Sequence, residues 1–187
     1  MRIVITGATG FIGSRLTEVL LKRGDEVIVL TRFSRSSPPG EKLHYVVWHP
    51  EHSTSTVGEI DGSDAVINLA GEPIVGKRWT PNQKEKIVSS RVQPTQVVAN
   101  SIKRAAQKPK VLINASAVGY YGSRESELLT EDSRVGRGFL ADTCKAWEAH
   151  AVRIEDFDVR VVRLRVGIVL DRAGGALRKM LPPFRMG

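Results

Sequence analysis

The chain has 187 residues, 41% of them apolar, a formal net charge of +8 and one cysteine. That length holds a single domain with a sizeable core, and no run approaches the ~18 apolar residues of a membrane span. Lone Cys144 precludes an internal disulfide framework and suits a reducing cytoplasm, four scattered histidines give no metal-ligand spacing, and basic residues spread through a chain with 6% aromatics point to an anionic small ligand rather than nucleic acid.

The chain opens Met1-Arg-Ile-Val-Ile-Thr-Gly-Ala-Thr-Gly-Phe-Ile-Gly13. Residues 3–5 read as a strand, and three glycines follow where a signal peptide would carry its apolar core. Ile12, Leu16, Val19 and Leu20 then recur at helical spacing. Arg23-Gly24 is a helix stop, and the β-branched run 26–30 is a second strand. A Ser/Pro loop over 34–40 precedes a third strand at 43–48, and 49–62 reads as polar linker. The fourth strand spans 65–69. Thr80-Pro81 starts a helix that turns Ile87, Val88, Val92, Val97, Val98 and Ile102 inward, with Pro94 kinking or dividing it. Residues 111–115 form strand five. Leu140, Cys144, Trp147, Ala151 and Ile154 define a further amphipathic helix, and 159–166 is strand six. Strands alternating with helices specify an α/β fold: a doubly wound parallel sheet of the Rossmann type with helices on both faces. Residues 1–166 read as one dinucleotide-binding domain. The apolar segment at 167–187 reads as the start of a substrate-binding region whose remainder is expected beyond it.

Strand, glycine turn and helix together are the opening of a dinucleotide-binding unit. Gly7 permits the tight turn, Gly10 lets backbone approach a pyrophosphate, and Gly13 lets helix and strand pack closely. The helix N-terminus, carrying Thr9, Phe11 and Ile12, offers N–H groups and partial positive charge to the phosphates. An NAD site places a carboxylate at the end of the second strand to bond the ribose hydroxyls. Here the positions read Leu30-Thr31-Arg32, and a hydroxyl with a guanidinium suits a 2′-phosphate instead. NADP(H) is the expected cofactor.

Thr6-Gly-Ala-Thr-Gly-Phe-Ile-Gly13, Asn68-Leu-Ala-Gly71 and Ser116-Ala-Val-Gly-Tyr-Tyr-Gly122 resemble the extended short-chain dehydrogenases/reductases. Three further pieces, Asn68-Leu-Ala-Gly-Glu-Pro-Ile74, Ser90-Arg91 before Thr95, and Arg165-Val-Gly-Ile-Val-Leu170 followed by Gly174-Gly175-Ala176-Leu177, resemble their epimerase-like branch, the nucleoside-diphosphate-sugar epimerase relatives. The resemblance implies that Leu69, Ala70 and Gly71 run past the adenosine and pyrophosphate, and that Arg91 reaches the cofactor. It also implies that Ala115 and Ser116 border the nicotinamide, with residues 167–169, Val169 included, on its other side. It further implies a small polar substrate, free or nucleotide-linked, and a homodimer through helices at 81–104 and 139–157.

The family's chemistry uses a Tyr four residues before a Lys. The ammonium lowers the phenol pKa so that the phenol can move a proton. Tyr45, Tyr120 and Tyr121 are followed at that spacing by His49, Arg124 and Glu125, so the pair is absent. In Phe139-Leu-Ala-Asp-Thr-Cys-Lys-Ala-Trp-Glu148 the two positions become Ala141 and Lys145, or Leu140 and Cys144, depending on register. Tyr120, Tyr121 and Ser116 remain as candidate catalytic groups, with Ala117 the alternative position for the family's serine. Lys145 reads as a helix-surface partner of Asp142 and Glu148, and Cys144 as a buried apolar residue. Arg165 either salt-bridges locally or faces an anionic substrate. Two readings stay open: an NADP(H)-dependent oxidoreductase of the epimerase type, and a weakly catalytic or non-catalytic NADPH-binding regulator, for example one linked to cell or plastid division.

Overall fold

The computed structural model describes residues 1–37, 39, 40, 42–52, 56–171, 174, 175, 177 and 181. In chain order the elements are β1 (Arg2–Thr6), α1 (Phe11–Lys22), β2 (Glu26–Thr31), β3 (Leu43–Val47), α2 (Val57–Ile60), β4 (Ala65–Asn68), α3 (Pro81–Arg104), β5 (Val111–Ala117), α4 (Phe139–Val152) and β6 (Arg160–Val166). The strands form one six-stranded sheet in the order β3-β2-β1-β4-β5-β6, and every pairing is parallel. The order reverses between β2-β1 and β4, the switch point where ligands of such sheets bind at the carboxyl ends of the strands.

Side-chain alternation explains why the central strands read as continuous apolar runs. Val4, Ile28, Leu30, Val66 and Leu112 face a core shared with Val97, Val98 and Ile102 of α3 and Ala151 of α4. Ile3, Ile5, Val27, Val29, Ala65 and Ile67 face the other way and pack with Leu20 of α1. Both faces are covered, as expected for a doubly wound sheet.

Several local expectations change. The segment 49–62 is more than polar linker: Val57–Ile60 forms a helical turn, Ile60 is fully buried, and the Thr56 amide donates to Ser101 Oγ at 2.8 Å. The buried face of α1 is Gly13, Thr17 and Leu20, whereas Ile12 and Val19 are exposed. Gly13 rotates that face. A Cβ there would run into the Gly7 carbonyl and stand 2.6 Å from Ala8 Cα, so the helix lies on the glycine turn along its smallest residue. Helix α3 runs through Pro94 unbroken over 24 residues, and Val88 and Val92 are only half-buried. Side chains supply bonds around the proline: Arg91 Nη1 donates to Ile87 O at 2.9 Å and Thr95 Oγ1 donates to Arg91 O at 2.8 Å. Strand five extends to Ala117, past the expected end at 115, and α4 stops at Val152 before a short 3₁₀ turn, Glu155–Phe157.

Candidate functional site

The glycine turn is built by close backbone contact. Gly7 has φ of 70°, and a Cβ on it would lie 2.6 Å from the carbonyl carbon and oxygen of Leu69. Gly10 caps α1 without a side-chain bond, its own amide donating to Gly7 O at 3.0 Å. The first bond into the helix is Ser14 N to Gly10 O, so the amides of Phe11, Ile12 and Gly13 open from the helix end. No acidic residue stands in that first turn. A cradle that any Cβ would fill, ending in open amides with no competing carboxylate, fits a diphosphate.

At the end of β2, Thr31 is buried and its Oγ1 accepts from Phe33 N at 3.4 Å. Arg32 is exposed, its guanidinium carbon 5.9 Å from the Phe33 ring centroid, and it has no ion-pair partner among the described residues. Its charge still reaches Glu72, whose carboxyl is held below the usual range first by the Lys77 hydrogen bond and in small part by Arg32. The carboxyl ends of β2 and β4 flank that of β1 on one sheet edge, and Arg32, unpaired among the described residues, lies on its rim.

Leu69 and Ala70 are half-buried after β4, and Gly71 lies against Arg91: a Cβ on Gly71 would stand 3.2 Å from Arg91 Cζ. The half-buried Arg91 donates to Glu72 O at 2.9 Å and to Ile87 O, and lies 5.3 Å from the Trp147 ring centroid. Burial lowers its pKa from the ordinary arginine value, with the Cys144 thiol and Glu72 opposing. Among the described residues no carboxylate pairs with it, which leaves a cation beside the glycine strand end and available to an anion.

Beneath this edge lies a polar network that the strand-by-strand reading missed. Thr6, Asn68, Thr95 and Asn114 are all fully buried. Asn68 accepts from Thr6 Oγ1 at 2.5 Å and donates to Thr95 Oγ1 at 2.7 Å and Asn114 Oδ1 at 2.6 Å. Trp147 Nε1 donates to the same Thr95 oxygen at 2.9 Å. The signal was an asparagine inside each of two apolar strands, because a buried amide has to find partners.

Around β5 the chemistry changes. Ser116 and Arg165 are register partners across β5 and β6, and both reach Glu148 of α4. Glu148 Oε1 accepts from Ser116 Oγ at 2.6 Å and from Arg165 Nε at 2.9 Å, and Oε2 accepts from Arg165 Nη2 at 2.9 Å. Burial alone would raise this carboxyl, but Arg165 and Ser116 hydrogen bonds with the Arg165 and Arg163 charges outweigh it, and its pKa is lowered. Arg165 is correspondingly raised, chiefly by Glu148. Arg165 Nη1 also donates to Tyr121 Oη at 2.9 Å and to Glu131 O at 2.8 Å, and its guanidinium carbon lies 3.6 Å from the Tyr120 ring centroid and 5.0 Å from that of Tyr121. Of the two roles left open for Arg165, the local salt bridge is the one observed. Glu148 is likewise an inward ion-pair residue and not a surface partner of Lys145. Its position was legible, since Cys144, Trp147, Glu148 and Ala151 share one i, i+3, i+4, i+7 face.

Tyr120 and Tyr121 lie on a 3₁₀ turn, Val118–Tyr121, with Tyr121 buried and Tyr120 half-exposed. Gly119 of that turn faces α4, where a Cβ would meet Leu140 Cβ at 3.4 Å and Cys144 Sγ at 4.0 Å. Leu140 and Cys144 thus occupy the helix face beside the turn. Burial pushes the Cys144 thiol up, which keeps it an un-ionised apolar filler. Ala115 and Ser116 are buried at the end of β5, and Val169 is exposed beyond β6.

The sequence profile of the NAD dependent epimerase/dehydratase family matches residues 3–154. The chain belongs to that family. Within it, the chain is 40% identical over 191 residues to the chloroplastic homolog of epimerase family protein SDR39U1 from Arabidopsis thaliana, covering 100% of this chain and 54% of the relative. It is also 40% identical over 186 residues to epimerase family protein YfhF of Bacillus subtilis, covering 99% and 60%. Among solved epimerase-family structures, human SDR39U1 crystallised with NADPH superposes with a TM-score of 0.84 at 35% identity, over 100% of this chain and 60% of that one. A nucleoside-diphosphate sugar epimerase from Corynebacterium glutamicum gives 0.83 at 36%, over 100% and 38%. The chain thus spans little more than half the length of the curated relatives it matches. No helix among its described residues is long and apolar enough to cross a membrane.

Proposed function

We propose that this chain is the NADP(H)-holding portion of an epimerase-type oxidoreductase that acts on a small polar substrate, free or nucleotide-linked. The observation that carries the reading is Arg32 at the end of β2, exposed and without an ion-pair partner among the described residues, on the same sheet edge as the glycine turn and the open amides of α1, with Thr31-Arg32 where an NAD site has its carboxylate. A carboxylate there would repel a 2′-phosphate, whereas a guanidinium pairs with it. The NADPH bound by the human relative supports the same choice. Thr9, Gly10, Phe11, Ile12 and Gly13 hold the diphosphate, Thr31 and Arg32 the 2′-phosphate, and Leu69, Ala70, Gly71 and Arg91 the adenosine side. Ala115, Ser116 and Val169 border the nicotinamide. The cofactor, when bound, supplies or accepts hydride. This chain's residues must then move the accompanying proton, and Tyr120 and Tyr121 on the turn after β5, with Ser116 at its end, are the candidate hydroxyls, the Ser116 proton being given to Glu148. Tyr121 receives a hydrogen bond from Arg165, which leaves its own proton free to donate.

The apolar Leu140 and Cys144 beside the turn favour a second reading, in which NADPH is held and its occupancy is sensed without turnover. Titration separates the layers. Arg32→Glu is expected to weaken NADPH by about tenfold to a hundredfold, the worth of one charge-assisted contact, and NADH far less. Equal loss for both cofactors overturns the NADP(H) assignment. NADPH consumption with sugar nucleotides or small carbonyls, abolished by Tyr120→Phe or Tyr121→Phe, supports the oxidoreductase. Tight binding without turnover across the panel supports the sensor.

A further inference from the structure

Beyond β6, Leu170 and Asp171 bridge antiparallel to Gly175 and Gly174, so the chain doubles back on itself. The returning arm lies flush on the ring of Phe11. A Cβ on Gly174 would stand 2.6 Å from Phe11 Cδ2 and 2.9 Å from Cε2, and one on Gly175 would stand 2.9 Å from Cε1. Gly175 is doubly constrained: it has φ of 68°, and its Cβ would also lie 2.9 Å from the Val169 carbonyl oxygen. Two consecutive residues must therefore lack side chains for the hairpin to sit there. Phe11 is the first residue of α1, and its amide is one of the three opening from the helix end. The hairpin and the candidate diphosphate cradle thus meet on one residue.

We infer that Gly174 and Gly175 are positioning residues of the dinucleotide site, seating the hairpin on Phe11 as a strap that closes the helix end and slows cofactor release. The inference rests on the NADP(H) reading and adds to it a part of the chain about 160 residues from the glycine turn. An aromatic ring held between helix end and hairpin shields the diphosphate contacts from water, and such shielding acts on the dissociation rate more than on the association rate. Replacing Gly174 with a branched residue drives the hairpin off the ring and leaves the glycine turn intact.

The test is NADPH release from the full chain, followed by stopped-flow nicotinamide fluorescence on displacement with excess NADP⁺. Gly174→Val is expected to release NADPH about tenfold or more faster, the mild end of what overpacking costs, with the association rate little changed. Unchanged release from a folded Gly174→Val protein overturns the strap. Hydrogen–deuterium exchange on the unsubstituted protein needs no folded variant: slower exchange at Gly174 and Gly175 on adding NADPH supports the strap, and unchanged exchange at both overturns it. Failure of the unsubstituted protein to bind NADPH at all overturns the cofactor reading instead, so the two failures are distinguishable.

Discussion

The two halves of the carboxyl edge are built on opposite principles. On the β1–β2 side the site is backbone: glycines pressed against carbonyls, open amides, and an arginine on the rim that is unpaired among the described residues. On the β5–β6 side it is side chain: a buried carboxylate grips an arginine and a serine, and that arginine grips a tyrosine. The first half leaves its donors unspent, as a site awaiting an anionic ligand should. The second spends them internally. Arg165 gives all its groups to Glu148, Tyr121 and Glu131, and what it gains is a fixed turn beneath the two tyrosines. The difference teaches that the glycine cradle and the tyrosine turn are held by separate sets of contacts, and each half can be broken without the other.

The largest expected effect comes from Glu148→Ala. It leaves Arg165 and Ser116 without their shared acceptor at a position only 4% exposed. Breaking one side of a buried pair costs about 3–5 kcal/mol, because the remaining charge stays desolvated. Chemical denaturation should show that loss, while NADPH affinity of the protein that remains folded stays close to the original. A parallel collapse of NADPH affinity would join the two halves that the geometry separates.

Gly7→Ala breaks the other half. Its Cβ would be forced against the Leu69 backbone from a left-handed conformation, a strain of about 2–4 kcal/mol from overpacking and φ together. The strained turn should lose NADPH affinity measurably by fluorescence titration, with the Glu148 cluster untouched. Intact affinity in Gly7→Ala would mean that the cradle is not where the diphosphate sits.

The same division governs what could be read in the chain before folding. The glycine turn, the strand runs and Arg32 are local features, set by neighbours a few residues away, and all stand where the pattern placed them, the strand ends shifting by one or two residues. The buried side of α1 did not, because apolar periodicity marked Ile12 and Val19 while the close approach at Gly13 decided the rotation. The second half depends on contacts far apart in the chain. Asn68 meets Thr6 and Asn114 across 62 and 46 positions, and Glu148 meets Ser116 and Arg165 across 32 and 17. A helical face can show that Glu148 points inward; it cannot show which cation awaits it. The absence of the Tyr–Lys pair was legible, but the Leu140–Cys144–Gly119 packing beside the turn needed the fold.

The smallest effect is in pH, and it sharpens the comparison without breaking it. The Glu148 carboxyl is lowered from 4.5 in the folded state, so it stays ionised and paired where the unfolded chain has begun to take up a proton. Its contribution is therefore fully present above the unfolded value and is lost as pH falls through the folded one. Glu148→Gln keeps a hydrogen-bonding amide but removes that titration. The stability gap between the two proteins should then be widest near neutral pH and should narrow as acidification passes below the unfolded value of 4.5. Asp25, lowered first by its Arg23 hydrogen bond, and Glu72, lowered first by Lys77, lie elsewhere and keep their own acid sensitivity in both proteins. Some slope consequently survives in Glu148→Gln. A gap that stays constant with pH would mean that Glu148 contributes shape to the β5–β6 half and that its charge is incidental, whereas the Arg165 and Arg163 contacts make charge the reason this residue is buried at all.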